Sequence, residues 1–275
     1  MRKVIAHGHI FKNAGSTFDW SLHRNFADSF LDHREDGLMR KQGAAHVREL
    51  LNERPGLEAF SSHHLCNPLP ELEGVDIQAV FFLRHPIARI DSVYRFERQQ
   101  DADTPGARMA KQKSFANYVA WRMQANVAHT IRNYQTCYLA GVHEHPEEGA
   151  VGLGIFGQAM STLRSSAFVG MVERYDESMV VLENLLRADW PLLDLSYVRQ
   201  NVSARRWFRR DQGGVNGVLS RLGKQAQTVL DHNSLDLALY QLAQRQLDDH
   251  LASIPDLEQR LADFRRRCQS LEGEA

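Results

Sequence analysis

The chain has 275 residues, 43% of them hydrophobic, which is enough to bury one sizeable core. Thirty-three basic residues against 34 acidic ones leave a formal net charge of −1, so the broad positive field of a nucleic-acid or membrane-surface binder is excluded and any electropositive site must be local. Cys66, Cys137 and Cys268 are widely separated and lack CxxC spacing, which argues against a disulfide framework or a Cys-based zinc site and fits a reducing compartment.

Strand-like apolar runs alternate with helical patterns through the first two hundred residues, so the expectation is an α/β fold with a mainly parallel sheet flanked by helices. The strand candidates are Val4 to His9, Leu57 to Ser61, Ala79 to Leu83 and Ala167 to Val172. Helices are predicted over Gly15 to Phe26, Pro86 to Arg98 and Tyr175 to Arg187, with Pro86 in the first turn of its helix and Asp176 as a cap. One long helix is expected from Ser114 to Tyr134, inside a segment from 99 to 163 that reads as an inserted, acceptor-side subregion of a single domain spanning 1–275. From Ser234 the spacing of Leu235, Leu239, Leu242, Leu247 and Leu251 predicts an amphipathic helix, broken by Pro255 before a second one, which together make a helical C-terminal region over 234–269. No signal sequence and no apolar run of membrane-spanning length are visible, so the expectation is a soluble, cytoplasmic chain with no membrane span.

The first strand leads into Phe11-Lys12-Asn13-Ala14-Gly15-Ser16-Thr17 and then a helix, which is the build of a phosphate cradle. Small residues let backbone N–H groups approach an anion, the helix N-terminus adds positive potential, and Lys12 supplies a full charge. In a Walker A loop the lysine follows the last glycine, whereas Lys12 precedes Gly15 by three residues, which argues against an ordinary ATP or GTP site. A second strand ends at Leu83-Arg84, and Pro86 opens a helix that carries Ser92 two turns along. An arginine there can fork two donors onto a phosphate, and a hydroxyl on the facing helix surface can add a third hydrogen bond.

Together the two segments resemble the sulfotransferases that use 3′-phosphoadenosine 5′-phosphosulfate (PAPS), particularly the carbohydrate branch related to heparan sulfate 2-O-sulfotransferase. In that family a lysine-bearing loop binds the 5′-phosphosulfate, and here it stands as His9-Ile10-Phe11-Lys12-Asn13-Ala14-Gly15-Ser16-Thr17. Phe11 and Asn13 replace the usual proline and threonine. The family's 3′-phosphate element, Leu-Arg-Asp-Pro-x-x-Arg-x-x-Ser-x-Tyr, is matched by Leu83 through Tyr94 with His85 in place of aspartate, which puts Arg84 and Ser92 on the phosphate-contacting positions. Asn201-Val202-Ser203 before Arg205-Arg206-Trp207 resembles the late loop that closes over the nucleotide, which implies cofactor contacts for Ser203 and Arg206.

What the resemblance implies is a P-loop-like fold, PAPS as co-substrate without a metal, and transfer of a sulfuryl group to a hydroxyl of an acceptor, a carbohydrate by the branch. Such a transfer needs a base for the hydroxyl proton and donors for the charge on the departing phosphate. Lys12, the loop N–H groups, Ser16 and Thr17 can meet the second need. For the first, related enzymes end a strand with a histidine segment whose imidazole is the proposed base, and Ser62-His63 matches it best; His64 is a register-shifted alternative. Glu173 is a base by residue type but reads better as scaffold. His7 and His9 share one face of a strand and are two imidazoles short of a placed third metal ligand. The rival readings are a non-catalytic phosphoadenosine- or glycan-binding protein and a nucleotide-dependent kinase, the latter lacking any visible Mg²⁺ ligand set.

Overall fold

In the computed structural model, which describes residues 1–142, 151–200 and 214–274, the Lys3-Val4-Ile5-Ala6-His7 run becomes strand β1 (Arg2–Gly8) at the middle of a five-stranded sheet. The order is β2-β3-β1-β4-β5, with β2 (Phe30–His33), β3 (Ala59–Ser62), β4 (Val75–Leu83) and β5 (Phe168–Met171), and every pairing is parallel. A central parallel strand is covered on both faces, and Val4, Ile5 and Ala6 are accordingly fully buried as a continuous run rather than an alternating one. The same holds for Val80, Phe81, Phe82 and Leu83 at the end of β4. Because β1 is followed by a strand pair on one side of the sheet and then by β4 on the other, a crevice opens beyond its carboxyl end, where ligands of such sheets gather.

Helix α1 (Gly15–Phe26) follows β1, and α2 (Asp36–Gln42) with α3 (Ala44–Glu53) fill the connection from β2 to β3. Helix α4 (Pro86–Gln99) follows β4 with Pro86 in its first turn, and α5 (Pro105–Gln112), α6 (Phe115–Arg122), α7 (Tyr134–Leu139) and α8 (Leu153–Ser165) precede β5. After β5 come α9 (Tyr175–Leu186), α10 (Gly214–Leu222), α11 (Ala226–Asp231), α12 (Ser234–Ala252) and α13 (Leu257–Glu274). Two apolar clusters result. The main one joins both faces of the sheet to α1, α9, α12 and α13, and a second packs Ile87, Ile90, Val93 and Tyr94 of α4 against Phe115, Tyr118, Val218 and Leu222. The 99–163 segment is shared between them: α5 and α6 line the second cluster, whereas Tyr138 of α7 and Leu163 of α8 belong to the first. Among the described residues no helix is long and apolar enough to cross a membrane.

Three expectations are corrected. The helix expected from Ser114 to Tyr134 ends at Arg122 as α6, and α7 begins only at Tyr134; the backbone between them bonds elsewhere, with Arg89 Nη1 of α4 donating to the Thr130 carbonyl at 2.8 Å and Arg132 Nη2 to that of Val127 at 2.5 Å. Asp176 does not cap α9; it lies in the first turn, where its carboxylate accepts from the Tyr197 hydroxyl at 2.8 Å and from Arg265 Nε at 3.1 Å. Strand β2 is added at the sheet edge, four residues with the polar Asp32 and His33, too short and too polar to stand out as a strand.

Candidate functional site

The β1–α1 loop is bent by two left-handed residues, Lys12 at φ 67° and Ala14 at φ 62°. Neither is glycine, and such conformations persist only where surrounding contacts hold them. The contacts are visible. The buried Arg89 donates from Nε to the Phe11 carbonyl at 3.0 Å, and its guanidinium lies 4.1 Å from the Tyr134 ring centroid. Asn13 turns inward and donates from Nδ2 to the Phe82 carbonyl and to Gln135 Oε1, both at 2.7 Å, so its amide shapes the loop from inside rather than facing a ligand. Gly15 is needed on steric grounds, since a Cβ there would lie 2.2 Å from the ring of His9.

The loop ends where α1 begins, with Ala14 at the N-cap, no side-chain cap and no acidic residue in the first turn. Of its leading N–H groups, that of Thr17 donates to the Ala14 carbonyl at 3.0 Å, and those ahead of it keep their positive ends without a capping side chain. Helices α4, α5 and α6 are each capped by a side chain: His85, Thr104 and Ser114. Ser16 is half-buried and Thr17 buried in the first turn of α1, and Thr17 Oγ1 accepts from the Gln200 N–H at 3.4 Å.

The two candidate phosphate elements come together. Arg84 Nη1 donates to the Lys12 carbonyl at 3.4 Å. The Lys12 ammonium sits 4.4 Å from the centroid of the Phe96 ring, and burial, then the positive charges of Arg84 and Arg89, pulls its pKa down to about 8. Three cations thus crowd the carboxyl ends of β1 and β4, an arrangement that an anion would relieve. Ser92 lies half-buried on α4. His85 accepts from the Ile87 N–H through Nδ1 at 3.3 Å, so the imidazole caps α4 as an aspartate would, and burial keeps it in the neutral form that can accept. Glu173 accepts from the His85 N–H at 2.9 Å and the Tyr240 hydroxyl at 3.1 Å, in keeping with a scaffold role. Ser203 and Arg206 lie outside the described residues. The described flanks of their segment reach both elements: Gln200 through Thr17, and Arg221 of α10 through Asp91 of α4 at 2.6 Å.

His63 follows β3 and stacks on His9, with ring centroids 4.2 Å apart and planes 23° from parallel. Since His9 in turn abuts Gly15, the stack carries His63 to the start of α1. Its Nε2 is buried without a hydrogen-bond partner, and burial, followed by the charge of His9, pushes its pKa down to about 4. His64 diverges toward α2, with Nε2 3.8 Å from Asp36 Oδ2.

Beneath the stack, Asp19 of α1 bridges two imidazoles: His7 Nδ1 donates to Oδ1 and His9 Nδ1 to Oδ2, each at 2.7 Å. The imidazoles hold the Asp19 carboxyl far below its ordinary range. His7, His9 and Asp19 are the one trio among the described residues whose ligand atoms could meet on a metal. Two ligands of a tetrahedral ion with bonds of about 2.0 Å lie about 3.3 Å apart. The observed 2.7 Å is a hydrogen-bond distance, so the trio fits a carboxylate fixing two tautomers better than a metal centre.

Sequence reasoning missed Asp19, Gln135 and Asp236 as parts of this site, and it matched Arg89 to the second arginine of the 3′-phosphate element without giving it a role. Asp19 carries a usable signal, a charge on the face of α1 shared with the buried Thr17, Phe18 and Leu22. Gln135 and Asp236 carry none, because their partners are about a hundred residues away along the chain.

The buried histidines set a pH dependence. His7, His33, His63, His64 and His85 all have pKa values below their ordinary 6.5, with burial as the first cause, so the folded chain holds them neutral while the unfolded chain takes up protons. Stability from these groups is complete above about pH 6.5 and is lost as the pH falls below it. The thermal midpoint is therefore expected to be level from pH 8 to 7 and to drop steadily from pH 6.5 to 4.5 in calorimetry. A midpoint that holds or rises over the lower interval would contradict this.

No protein-family model matches the chain. Over 206 residues it is 32% identical to an uncharacterized protein of Archaeoglobus fulgidus, a match that covers 73% of this chain and 80% of the archaeal one.

Proposed function

We propose that this chain, which belongs to the same family as that uncharacterized Archaeoglobus fulgidus protein, is a PAPS-dependent sulfotransferase acting on a hydroxyl, with a carbohydrate as the acceptor class. The observation that carries the reading is the meeting of Lys12 and Arg84 at an uncapped helix start, two anion-binding elements side by side where a nucleotide phosphorylated at both its 3′ and 5′ ends would need them. Lys12 and the N–H groups from Ala14 to Ser16 would hold the 5′-phosphosulfate, and Arg84 with Ser92 the 3′-phosphate.

In the transfer the acceptor oxygen attacks sulfur in line while the bond from sulfur to the 5′-phosphate oxygen breaks. The hydroxyl proton passes to Nε2 of His63, which is unprotonated at neutral pH but, with burial pulling its pKa to about 4, is a weaker base than an imidazole titrating near neutrality. Adenosine 3′,5′-bisphosphate leaves with the added charge spread over Lys12 and the loop N–H groups. Each residue's charge-assisted contact to phosphate is worth about 1.5–3 kcal/mol, or roughly 10- to 150-fold in affinity. Lys12→Ala and Arg84→Ala should each weaken binding of adenosine 3′,5′-bisphosphate by that factor in calorimetry; unchanged affinity in both variants would sink the assignment.

A further inference from the structure

Gln135 is fully buried at the start of α7, and its amide is shared between the two phosphate elements. Oε1 accepts from Asn13 Nδ2 of the lysine loop at 2.7 Å and from the Arg84 N–H at 2.9 Å. Nε2 donates to the Arg84 carbonyl at 2.9 Å and lies 3.5 Å from Asp236 Oδ2. Gln135 therefore pairs with both polar groups of the Arg84 backbone, as a neighbouring strand would, while its oxygen also holds the loop that bears Lys12. Asn13 completes the bridge by donating to the Phe82 carbonyl, two residues before Arg84.

The amide itself is held from behind. Asp236, buried at the start of α12, accepts from the Gln135 N–H at 3.1 Å and from the Thr136 N–H and Oγ1 at 2.7 Å, which caps α7. Asn133, at φ 41°, returns the favour by accepting from the Leu235 and Asp236 N–H groups at 3.1 Å, which caps α12. A side chain with all its neighbours fixed in this way has one geometry available, and so does the spacing of the groups it joins.

We propose that Gln135 is a positioning residue that sets the separation of the Lys12 loop and Arg84, so that the two act as one divalent site selecting nucleotides phosphorylated at both ends over those phosphorylated at one. This rests on the nucleotide reading above. The second phosphate of a bound bisphosphate meets its site at a high effective concentration only if that site is at the right distance, so misplacing it removes the advantage of the pair while leaving each half its own affinity. A residue that served folding alone would lower affinity for all three ligands together.

The experiment is calorimetric titration of wild-type protein and Gln135→Met with adenosine 3′,5′-bisphosphate, adenosine 5′-monophosphate and adenosine 3′-monophosphate. Wild type should favour the bisphosphate over either monophosphate by at least about 100-fold, and Gln135→Met should cut that ratio about tenfold or more while each monophosphate stays within about threefold of wild type. If the methionine variant does not fold, Asn13→Ala removes the other end of the bridge and the same drop in ratio is expected. A ratio unchanged in a folded variant overturns the positioning role alone. Wild-type protein that binds none of the three overturns the nucleotide reading and this role with it.

Discussion

Replacing His63 with Ala is expected to lower sulfuryl transfer from PAPS by about 10²–10⁴-fold, the usual contribution of a placed general base, while changing nucleotide affinity by less than about threefold. The split follows from the geometry. In the proposed reading Lys12, Arg84 and the start of α1 would hold the nucleotide, whereas His63 touches this group through the face of His9 and offers a buried Nε2 without a partner. Removing the imidazole leaves the contact between Arg84 and the Lys12 loop standing. Initial rates of label transfer from sulfur-35 PAPS, measured beside calorimetry with adenosine 3′,5′-bisphosphate, separate the two effects. Equal losses in both would make His63 structural. Full turnover would pass the role to His64 or Glu173, and the two hydrogen bonds already accepted by Glu173 leave His64 the better placed.

The largest effect on stability is expected from Glu97→Ala. Glu97 of α4 and Arg122 of α6 form an ion pair in which both side chains are less than a tenth exposed, and the Tyr118 hydroxyl donates to the same carboxylate. The pair presses so close to α5 that a Cβ on Gly106 would sit 2.2 Å from Arg122 Nη2 and 2.3 Å from Glu97 Oε1. Removing the carboxylate leaves a guanidinium buried without its counter-charge, which costs about 3–5 kcal/mol, a large share of the roughly 5–15 kcal/mol that folds a domain. Since α4 carries Ser92 and follows Arg84, bisphosphate binding should weaken with it. Urea unfolding reads the loss as a lower midpoint. The double change Glu97→Leu with Arg122→Met should cost less than Glu97→Ala alone, and a Glu97→Ala cost under about 1 kcal/mol would show the pair to be dispensable.

The parts of the fold that were legible are those where a local pattern and tertiary packing agree. β1 and the end of β4 are covered on both faces, so their apolar runs needed no alternation to be recognised, and α1 spans Gly15–Phe26 as its pattern predicts. The stretch between Ser114 and Tyr134 failed past Arg122, where Arg89 of α4, 41 positions away, takes the Thr130 carbonyl, a competition that no local period reveals. The same division runs through the site. Lys12 and Arg84 could be paired in advance because each lies beyond the carboxyl end of a strand of a parallel sheet, where ligands of such sheets gather. What holds them could not be foreseen: the Asn13 amide, where the family's loop has threonine, faces Gln135, 122 positions along the chain. His85, which breaks the resemblance at the aspartate position, keeps the cap that an aspartate would provide.

The central claim is tested most directly by incubating the protein with sulfur-35 PAPS and a panel of glycans, lipids, small alcohols and phenols. Label should appear in a hydroxyl-bearing acceptor, with one adenosine 3′,5′-bisphosphate released per sulfuryl group moved, and at sub-saturating PAPS should fall about tenfold or more with Lys12→Ala or Arg84→Ala. Tight binding of the bisphosphate with no label on any member of the panel would contradict a transferase and leave a phosphoadenosine-binding protein in its place.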